Sequence, residues 1–444
     1  MASSTKFDVA IIGAGASGLA CARALIDQNL KVVIIEGRSR IGGRIFTERN
    51  ATLGHAIELG AEFMHGTPEA TMSRVTSLGL PFFDTCENHF MFKETKGKGH
   101  LKPVTDFWEK MEKALKPMRT DPSKDRSFKE FIDGRKTLDS ELRRLLLGFV
   151  EGFHGADTEQ MSEVGLALSQ QADESDLNGA QNFKFVHGYD RLPASFIAGV
   201  SEEKLHLNLS TTAKLVRWKT GEVEIECESA TGDSLPLIIA KNCVITVPIG
   251  VLKATQDKKS ALKFSPEVPG LKKALDGIEM GHAARIVFQF KTRFWENLTQ
   301  EPLGYLHAGP EYDFPTWWTN NPLRLPLLTA WQGGPKAQKL AQLSEEARVS
   351  TALGTLSKIT GIKIAPLRQD LQSWHTHNWS TDPYTLGAYS YIKVGGVLAA
   401  KKFAKPFASN LFFAGEGTDS SEARGTVNGA IDSGLKVAKM ILKQ

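Results

Sequence analysis

Residues 7–18 read FDVAIIGAGASG, and the chain continues through LACARALI to a second apolar run, VVII, at residues 32–35, which ends on Glu36. The first run is short, apolar and closed by glycine, and the segment that follows it is alanine-rich at helical spacing. The second run is β-branched. This order predicts a strand, a helix and a second strand. Strands this apolar bury both faces, as in a parallel sheet covered by helices. Gly13, Gly15 and Gly18 fall at the strand-to-helix junction. Glycine there permits the tight turn, the approach of a pyrophosphate to the backbone of Ala16 and Ser17, and close helix packing. The helix N-terminus then faces the anion. Glu36 closes the second strand, where a carboxylate accepts hydrogen bonds from ribose hydroxyls. Such a unit serves more than one dinucleotide, so the nucleotide is decided elsewhere in the chain.

A chain of 444 residues exceeds the roughly 250–300 at which single cores stop growing, so two domains are expected. The hydrophobic fraction of 41% and charged fraction of 23% exclude collagen, coiled-coil and disordered classes. Fifty-four basic residues face 50 acidic ones spread along the chain, which gives no support to nucleic-acid binding. A cationic ligand would need a locally acidic or aromatic pocket. Cys21, Cys86, Cys227 and Cys243 form no CxxC pair and read as free thiols of a reducing compartment. No Cys/His cluster has ligand spacing, so no metal is expected. The apolar run at 9–12 is too short for a signal segment, no window approaches 18 uninterrupted apolar residues, and the amphipathic stretch 434–442 leaves no room for a membrane tail. A cytoplasmic location without membrane contact is the expectation.

Residues 81–186 carry charged stretches at helical spacing, such as Leu142, Leu145, Leu146 and Phe149 around Arg143 and Arg144, and predict a mostly helical insert. Residues 214–239 alternate, with Val223, Ile225 and Cys227 between glutamates, and predict a small antiparallel sheet before a strand at 244–247. Residues 286–391 are rich in Trp, Pro and β-branched types and predict a second sheet, with a helix over 345–356. A glycine-rich turn at Gly415 and a helix from Thr426 follow. The simplest arrangement is a nucleotide domain of residues 1–80, 186–278 and 382–444, with a substrate domain of 81–185 and 279–381 inserted twice.

Several further stretches narrow the reading: EGRSRIGGR at 36–44, ELGAEFMHG at 58–66, HGYDRL at 187–192, VITVPIGVLK at 244–253 and LFFAGEGTDSSEARGTVNGA at 411–430. Together they resemble the flavin-containing amine oxidases over residues 7–438, with the middle of the helical insert matching weakly. The resemblance implies an α/β fold, a Rossmann-type FAD-binding domain (GR2-like) with an inserted α+β substrate-binding domain, and FAD as the cofactor. It implies that the backbone at Gly43 passes the cofactor and that Arg38 and Arg44 meet phosphate or flavin, which a guanidinium fork suits. Arg40 reads equally as a solvated loop charge. Gly60, Ala61 and Glu62 would run beneath the flavin ring, where a larger side chain at 60 or 61 pushes the ring away. His65 would face the substrate channel, as in polyamine-oxidising members, or be a core histidine. A valine like Val216 would contact adenine through its backbone, or be a plain strand valine. Gly415 and Glu416 would meet the ribityl and pyrophosphate region. Thr426 and Val427 would bring a helix N-terminus to the flavin pyrimidine.

The stretch WSTDPYTLGAYSY at 379–391 is similar to the segment that walls the amine pocket in this family. Tyr389 matches a ring beside the flavin and Trp379 a second ring; the plain alternative is a pair of core aromatics. An aromatic wall guides an amine by cation–π attraction and excludes water. Monoamine oxidases carry their flavin-attaching cysteine where this chain has Ala388, so the FAD is expected to be non-covalent. They place a second tyrosine where it has Thr426. Both departures lean toward polyamine oxidases and histone-lysine demethylases. The arginine by which amino acid oxidases often hold a carboxylate is missing after Gly60, leaving Arg324, Arg348 and Arg368 as candidates. In EMGHAARIVFQFKTRFW at 279–295, Arg285 matches a lysine that holds a water against flavin N5 in relatives, unless the register is one residue off and Arg285 lies on a surface strand.

These resemblances imply an FAD-dependent amine oxidoreductase in which hydride passes from the carbon next to nitrogen to flavin N5. The imine hydrolyses to an aldehyde plus amine or ammonia, and oxygen or another acceptor reoxidises the flavin. The substrate would be a small-molecule polyamine or monoamine. The alternatives are an L-amino acid oxidase, a desaturase or protoporphyrinogen oxidase-like flavoenzyme, and a non-catalytic flavin-binding scaffold, which need not retain the pocket aromatics.

Overall fold

The first strand runs Lys6–Ile12, the helix Ala16–Ile26 and the second strand Val32–Ile35 in the computed structural model, which describes residues 6–50, 54–95, 98–173, 181–418 and 423–444. The two strands are parallel, with Val9 opposite Val32 and Ile12 opposite Ile35. Alternation decides what each face meets. Val9, Ile11, Val32 and Ile34 pack with Leu19, Leu25 and Ile431 in one helix-covered layer. Ala10, Ile12, Val33 and Ile35 join Ile225, Ile245 and Phe413 on the other side. Burial on both faces is what an uninterrupted apolar strand requires, and at about 25 cal/mol per Å² this apolar surface is the main favourable term holding the layers together.

Leu205–Asn208, Val32–Ile35, Lys6–Ile12, Ile238–Ile245 and Leu411–Phe413 run parallel in that order. The strand Ile238–Ile245 divides its outer edge. Residues 243–245 pair with Leu411–Phe413, while residues 238–240 pair antiparallel with Glu222–Ser229. Thr211–Lys219 and Lys263–Ser265 complete this wing. The helix Val427–Ile441 lies across Ala16–Ile26, and a Cβ added at Gly434 would stand 2.2 Å from the Ser17 carbonyl oxygen. The last element of the chain therefore packs directly on the glycine-rich turn.

A second, seven-stranded sheet has the order Leu371–Thr376, Ala283–Phe290, Leu327–Gly333, Thr316–Trp318, Tyr305–His307, His89–Thr95 and Lys98–Pro103. The last two correct the expectation of a mostly helical insert. Residues 82–103 supply strands, because Phe90 and Phe92, two apart, drop onto one face into a cluster with Phe288 and Trp317. The adjoining Lys93 and Glu94 mask that period of two in the sequence. Four helices follow, Phe107–Leu115, Phe128–Asp133, Ser140–His154 and Glu163–Asp173, and a short strand, Asn182–Phe185, closes the insert. Ser140–His154 is capped by the Asp139 carboxylate, which accepts from the Leu142 N–H at 2.8 Å, and ends at Gly155 with φ 60°. Both ends use standard stop signals. Among the described residues no helix is long and apolar enough to cross a membrane.

Candidate active site

A cavity of about 530 Å³ is bordered by both sheets, and its walls extend from the glycine-rich turn to the strands around His89 and His307. Gly13 has φ +111°, and a Cβ there would strike the Thr246 hydroxyl at 2.5 Å. Only glycine meets both conditions. A Cβ at Gly15 meets nothing within 4 Å, so that face of the turn opens to the cavity. Gly18 does not line the cavity; its Cβ would lie 2.1 Å from the Gly13 carbonyl, which makes it the contact that lets helix approach strand. Ala16 and Ser17 line the cavity at the helix start, and the buried Ser17 hydroxyl has no partner among the described residues. An orphaned donor beside free N–H groups at a helix N-terminus fits a phosphate.

Glu36 is buried and already accepts from the N–H groups of Ala14 and Arg38 at 2.8 and 2.9 Å. Those bonds fix its carboxylate and leave further lone pairs for hydroxyl donors. Arg38 donates to Asp382 and, at 2.8 Å, to Thr385, with its guanidinium over the rings of Tyr384 and Trp379. Arg44 donates to the Ala388 carbonyl and to Glu416, both at 2.8 Å. Burial pushes the Glu416 pKa up, but Arg44 and the Ser390 hydroxyl, 2.7 Å away, outweigh it and hold the carboxyl below the ordinary range. Both arginines thus line the cavity pre-oriented by carboxylates. Arg40 does not line it; it turns back on the carbonyls of Ile41 and Ile45 and over Phe46.

Several residues sit differently from their sequence-based placement. Val216 is fully buried among Val223 and Ile225 and does not reach the cavity, whereas Ala213 does. A Cβ at Gly60 would collide with the Arg44 carbonyl at 1.9 Å, so close backbone packing forbids a side chain there before any ring does. The Thr426 hydroxyl is spent on its own helix, accepting from the Gly429 N–H at 3.0 Å and donating to Ala423 at 2.7 Å. Val427 and Gly415 line the cavity. Arg324, Arg348 and Arg368 do not, and so offer no carboxylate clamp there.

Trp379 and Tyr389 both line the cavity. Trp379 is buried, donates its indole N–H to the Leu59 carbonyl at 2.8 Å, and would meet a Cβ at Gly60 at 3.1 Å. Tyr389 donates its hydroxyl to the Phe153 carbonyl at 2.7 Å, satisfying a carbonyl at the C-terminal end of Ser140–His154 that the helix itself leaves unpaired. Burial pushes the phenol pKa up.

Arg285 is buried on Ala283–Phe290, an interior strand of the second sheet, which removes the surface-strand alternative. Its guanidinium donates to the Gly60 carbonyl at 2.8 Å and to Glu62 at 2.7 Å. Glu62 also takes the Lys184 ammonium at 2.8 Å and the Trp318 indole N–H at 2.9 Å. Its carboxylate, expected beside the cofactor, is thus consumed by three protein donors. Burial raises its pKa, but Arg285 and Lys184 prevail and hold it below the ordinary value. Breaking such a buried network costs on the order of 3–5 kcal/mol. His65 lines the cavity with Nδ1 2.7 Å from Asn182 Oδ1, not bonded to backbone through its ring. Spacing in the sequence does not disclose Glu87, His89, Asn182, Tyr305, His307 and Trp318, which complete the wall. They come from three separate segments and carry no shared motif.

The family described as "Flavin containing amine oxidoreductase" matches residues 16–442. "Polyamine oxidase 4" of Oryza sativa subsp. japonica is 28% identical, over 98% of this chain and 89% of its own length. "Lysine-specific histone demethylase 2" of Homo sapiens is 26% identical, over 98% of this chain and 53% of its own. Among solved structures, wild-type putrescine oxidase bound to putrescine superposes with a TM-score of 0.81 at 20% identity, covering 99% of this chain and 100% of that one. With a dinucleotide turn, a buried acid closing the second strand and a family match across nearly the whole length, the chain belongs to the flavin-containing amine oxidoreductases, and FAD is its cofactor.

Proposed function

We propose that this enzyme oxidises the carbon–nitrogen bond of a small-molecule amine, polyamine or monoamine, at the wall formed by Trp379 and Tyr389. The observation that carries the reading is that one cavity joins the glycine-rich turn to that aromatic wall. The division into residues 1–80, 186–278 and 382–444 around the cofactor, and 81–185 and 279–381 around the substrate, belongs to the same proposal. Gly13, Gly15, Ala16, Ser17, Glu36, Arg38, Gly43, Arg44, Gly415 and Glu416 would hold FAD, with Gly60, Ala61 and the helix start at Thr426 and Val427 beside its ring. When bound, the flavin takes a hydride from the carbon next to the amine nitrogen, the imine hydrolyses, and oxygen or another acceptor restores the flavin.

The protein's part is positioning and polarity. Trp379 and Tyr389 hold a cationic amine by their ring faces and keep water away. The N-terminus of Val427–Ile441 favours negative charge developing near it. The names of relatives such as rice polyamine oxidase 4 support a polyamine, and a scaffold without turnover would not need these ring positions fixed by hydrogen bonds to Leu59 and Phe153.

Anaerobic titration with a panel of amines should bleach the flavin. Acid precipitation should leave a yellow supernatant, since Ala388 cannot form a thioether. Glu36→Ala should weaken FAD retention, while Tyr389→Ala should chiefly slow reduction, by about 2 kcal/mol or more in the barrier. Equal effects of both substitutions on both observables would remove the assignment.

A further inference from the structure

Asp382 and His377 do not line the cavity, yet they tie together two groups that do, Arg38 and Trp379. One oxygen of the buried Asp382 carboxylate, Oδ1, accepts from the Arg38 guanidinium, from the Tyr384 N–H at 2.9 Å and from the Thr385 hydroxyl at 3.3 Å. The other, Oδ2, lies 2.8 Å from His377 Nε2. Burial pushes the Asp382 pKa up, but the bonds from His377 and Arg38 outweigh it and hold the carboxyl well below the ordinary range. An ionised carboxylate only accepts, so Nε2 carries the His377 proton.

The His377 ring then meets Trp379 edge to face, with centroids 4.3 Å apart at 63°, and meets Phe46 at 5.6 Å and 90°. Arg38 reaches the same indole, its guanidinium carbon 5.8 Å from the ring centre. Trp379 is therefore met by both partners of Asp382. Arg38 spends Nη2 on Asp382 and Thr385, which leaves the hydrogens of Nε and Nη1 for an anion.

We propose that Asp382 and His377 are positioning residues that join the phosphate clamp and the amine wall into one unit: Asp382 aims Arg38 at the FAD pyrophosphate and, through His377, fixes the Trp379 ring. This role rests on the amine oxidoreductase reading for what Trp379 meets, and on Arg38, Asp382, His377 and Trp379 alone for its geometry. Linkage then requires that a ligand settled on the Trp379 wall tighten the hold on FAD by the factor that FAD tightens its own binding. A cation on the ring face is such a ligand. Two substitutions cut the bridge at different places. His377→Phe keeps a ring against Trp379 and Phe46 but offers Asp382 no N–H, whereas His377→Gln keeps the N–H donor and loses the ring.

The test measures the FAD dissociation constant of the holoenzyme with and without tetramethylammonium, a cation that lacks the nitrogen lone pair oxidation needs. Anaerobic flavin reduction by amines and the ¹⁵N-labelled indole N–H signal of Trp379, assigned by its loss in Trp379→Phe, are followed beside it. His377→Phe should weaken FAD binding about tenfold, the size of a lost hydrogen bond to a charged group, while His377→Gln should stay within about twofold of wild type. His377→Gln should instead slow reduction by about tenfold, since the wall is loosened at the ring. Tetramethylammonium should tighten FAD about fivefold in wild type and should lose that effect in both variants. Asp382→Asn should shift the Trp379 indole signal although residue 382 does not touch that ring.

Wild-type FAD affinity in His377→Phe, or an indole signal unmoved by Asp382→Asn, would overturn the proposal. So would a cation effect of full size in both variants, which would mean that the cation acts on the flavin directly. A wild type that amines reduce but whose FAD affinity the cation leaves unchanged would overturn it as well. If the variants lower only the denaturant midpoint, His377 packs and does not position, and the proposal fails. A wild type that binds no tetramethylammonium and that no amine reduces would overturn the amine reading instead, while the FAD affinity of His377→Phe and the indole signal would still decide the bridge.

Discussion

The sequence resemblance expects at Arg285 a residue able to lose its proton, and an arginine effectively never does. Its guanidinium is bolted to the Gly60 carbonyl and to Glu62, which is itself shared with Lys184. The charge beside the proposed flavin ring is therefore fixed in place as well as in sign. Reoxidation of the reduced enzyme by oxygen is expected to be slow, with a dye or protein acceptor faster, and Arg285→Lys should raise the oxygen rate. Stopped-flow reoxidation of both proteins measures this; a wild type as fast as ordinary oxidases and unaffected by the substitution would end the idea. Arg285 and His65 are legible in the sequence because they stand inside motifs. Glu62 also stands inside a motif, but its bond to Arg285 does not show there, and Lys184 and Asn182 are legible only as residue types, since the fold alone brings them together. Val216 is a different case. A bulge between Ala213 and Leu215 puts Ala213 and Val216 on the same side, opposite Cys227 and Ile225, and of the two only Ala213, nearer the start of Thr211–Lys219, reaches the cavity.

Among the elements, the pair of helices Ala16–Ile26 and Val427–Ile441 sets the shape of the nucleotide turn. Gly434 allows backbone to approach backbone, and a methyl group there would stand 2.2 Å from the Ser17 carbonyl. Neither helix can yield without moving the turn. Gly434→Ala should cost about 1–3 kcal/mol of stability in a denaturant titration, as overpacking does, and should also release FAD more readily. Wild-type stability and retention together would show that the helices part freely. The strand–helix–strand start was readable because burial on both faces leaves Lys6 and Asp8 as the only polar residues of its two strands. The strands at His89–Thr95 and Lys98–Pro103 were not, because one face is covered by the Phe90 and Phe92 rings and the other carries charge. A short run of mixed charge supports a helix equally well on paper.

Across the whole molecule, the first sheet takes its strands from both ends of the chain and from its middle, while the second is assembled from two insertions. Alternation and glycine placement disclose each piece, yet the cavity between the sheets is a property of neither. Its walls bring together His65, Glu87, Asn182 and His307, residues far apart in sequence. The divided edge of Ile238–Ile245 has a temporal consequence. The glycine-rich turn is synthesised some 390 residues before Leu411–Phe413 and the helix that braces Ser17. Cofactor loading is therefore expected only after Val427–Ile441 has been made. Stalled nascent chains ending before residue 411 should carry no flavin fluorescence, and flavin bound to such a chain would show that the turn captures its nucleotide before its brace has been made.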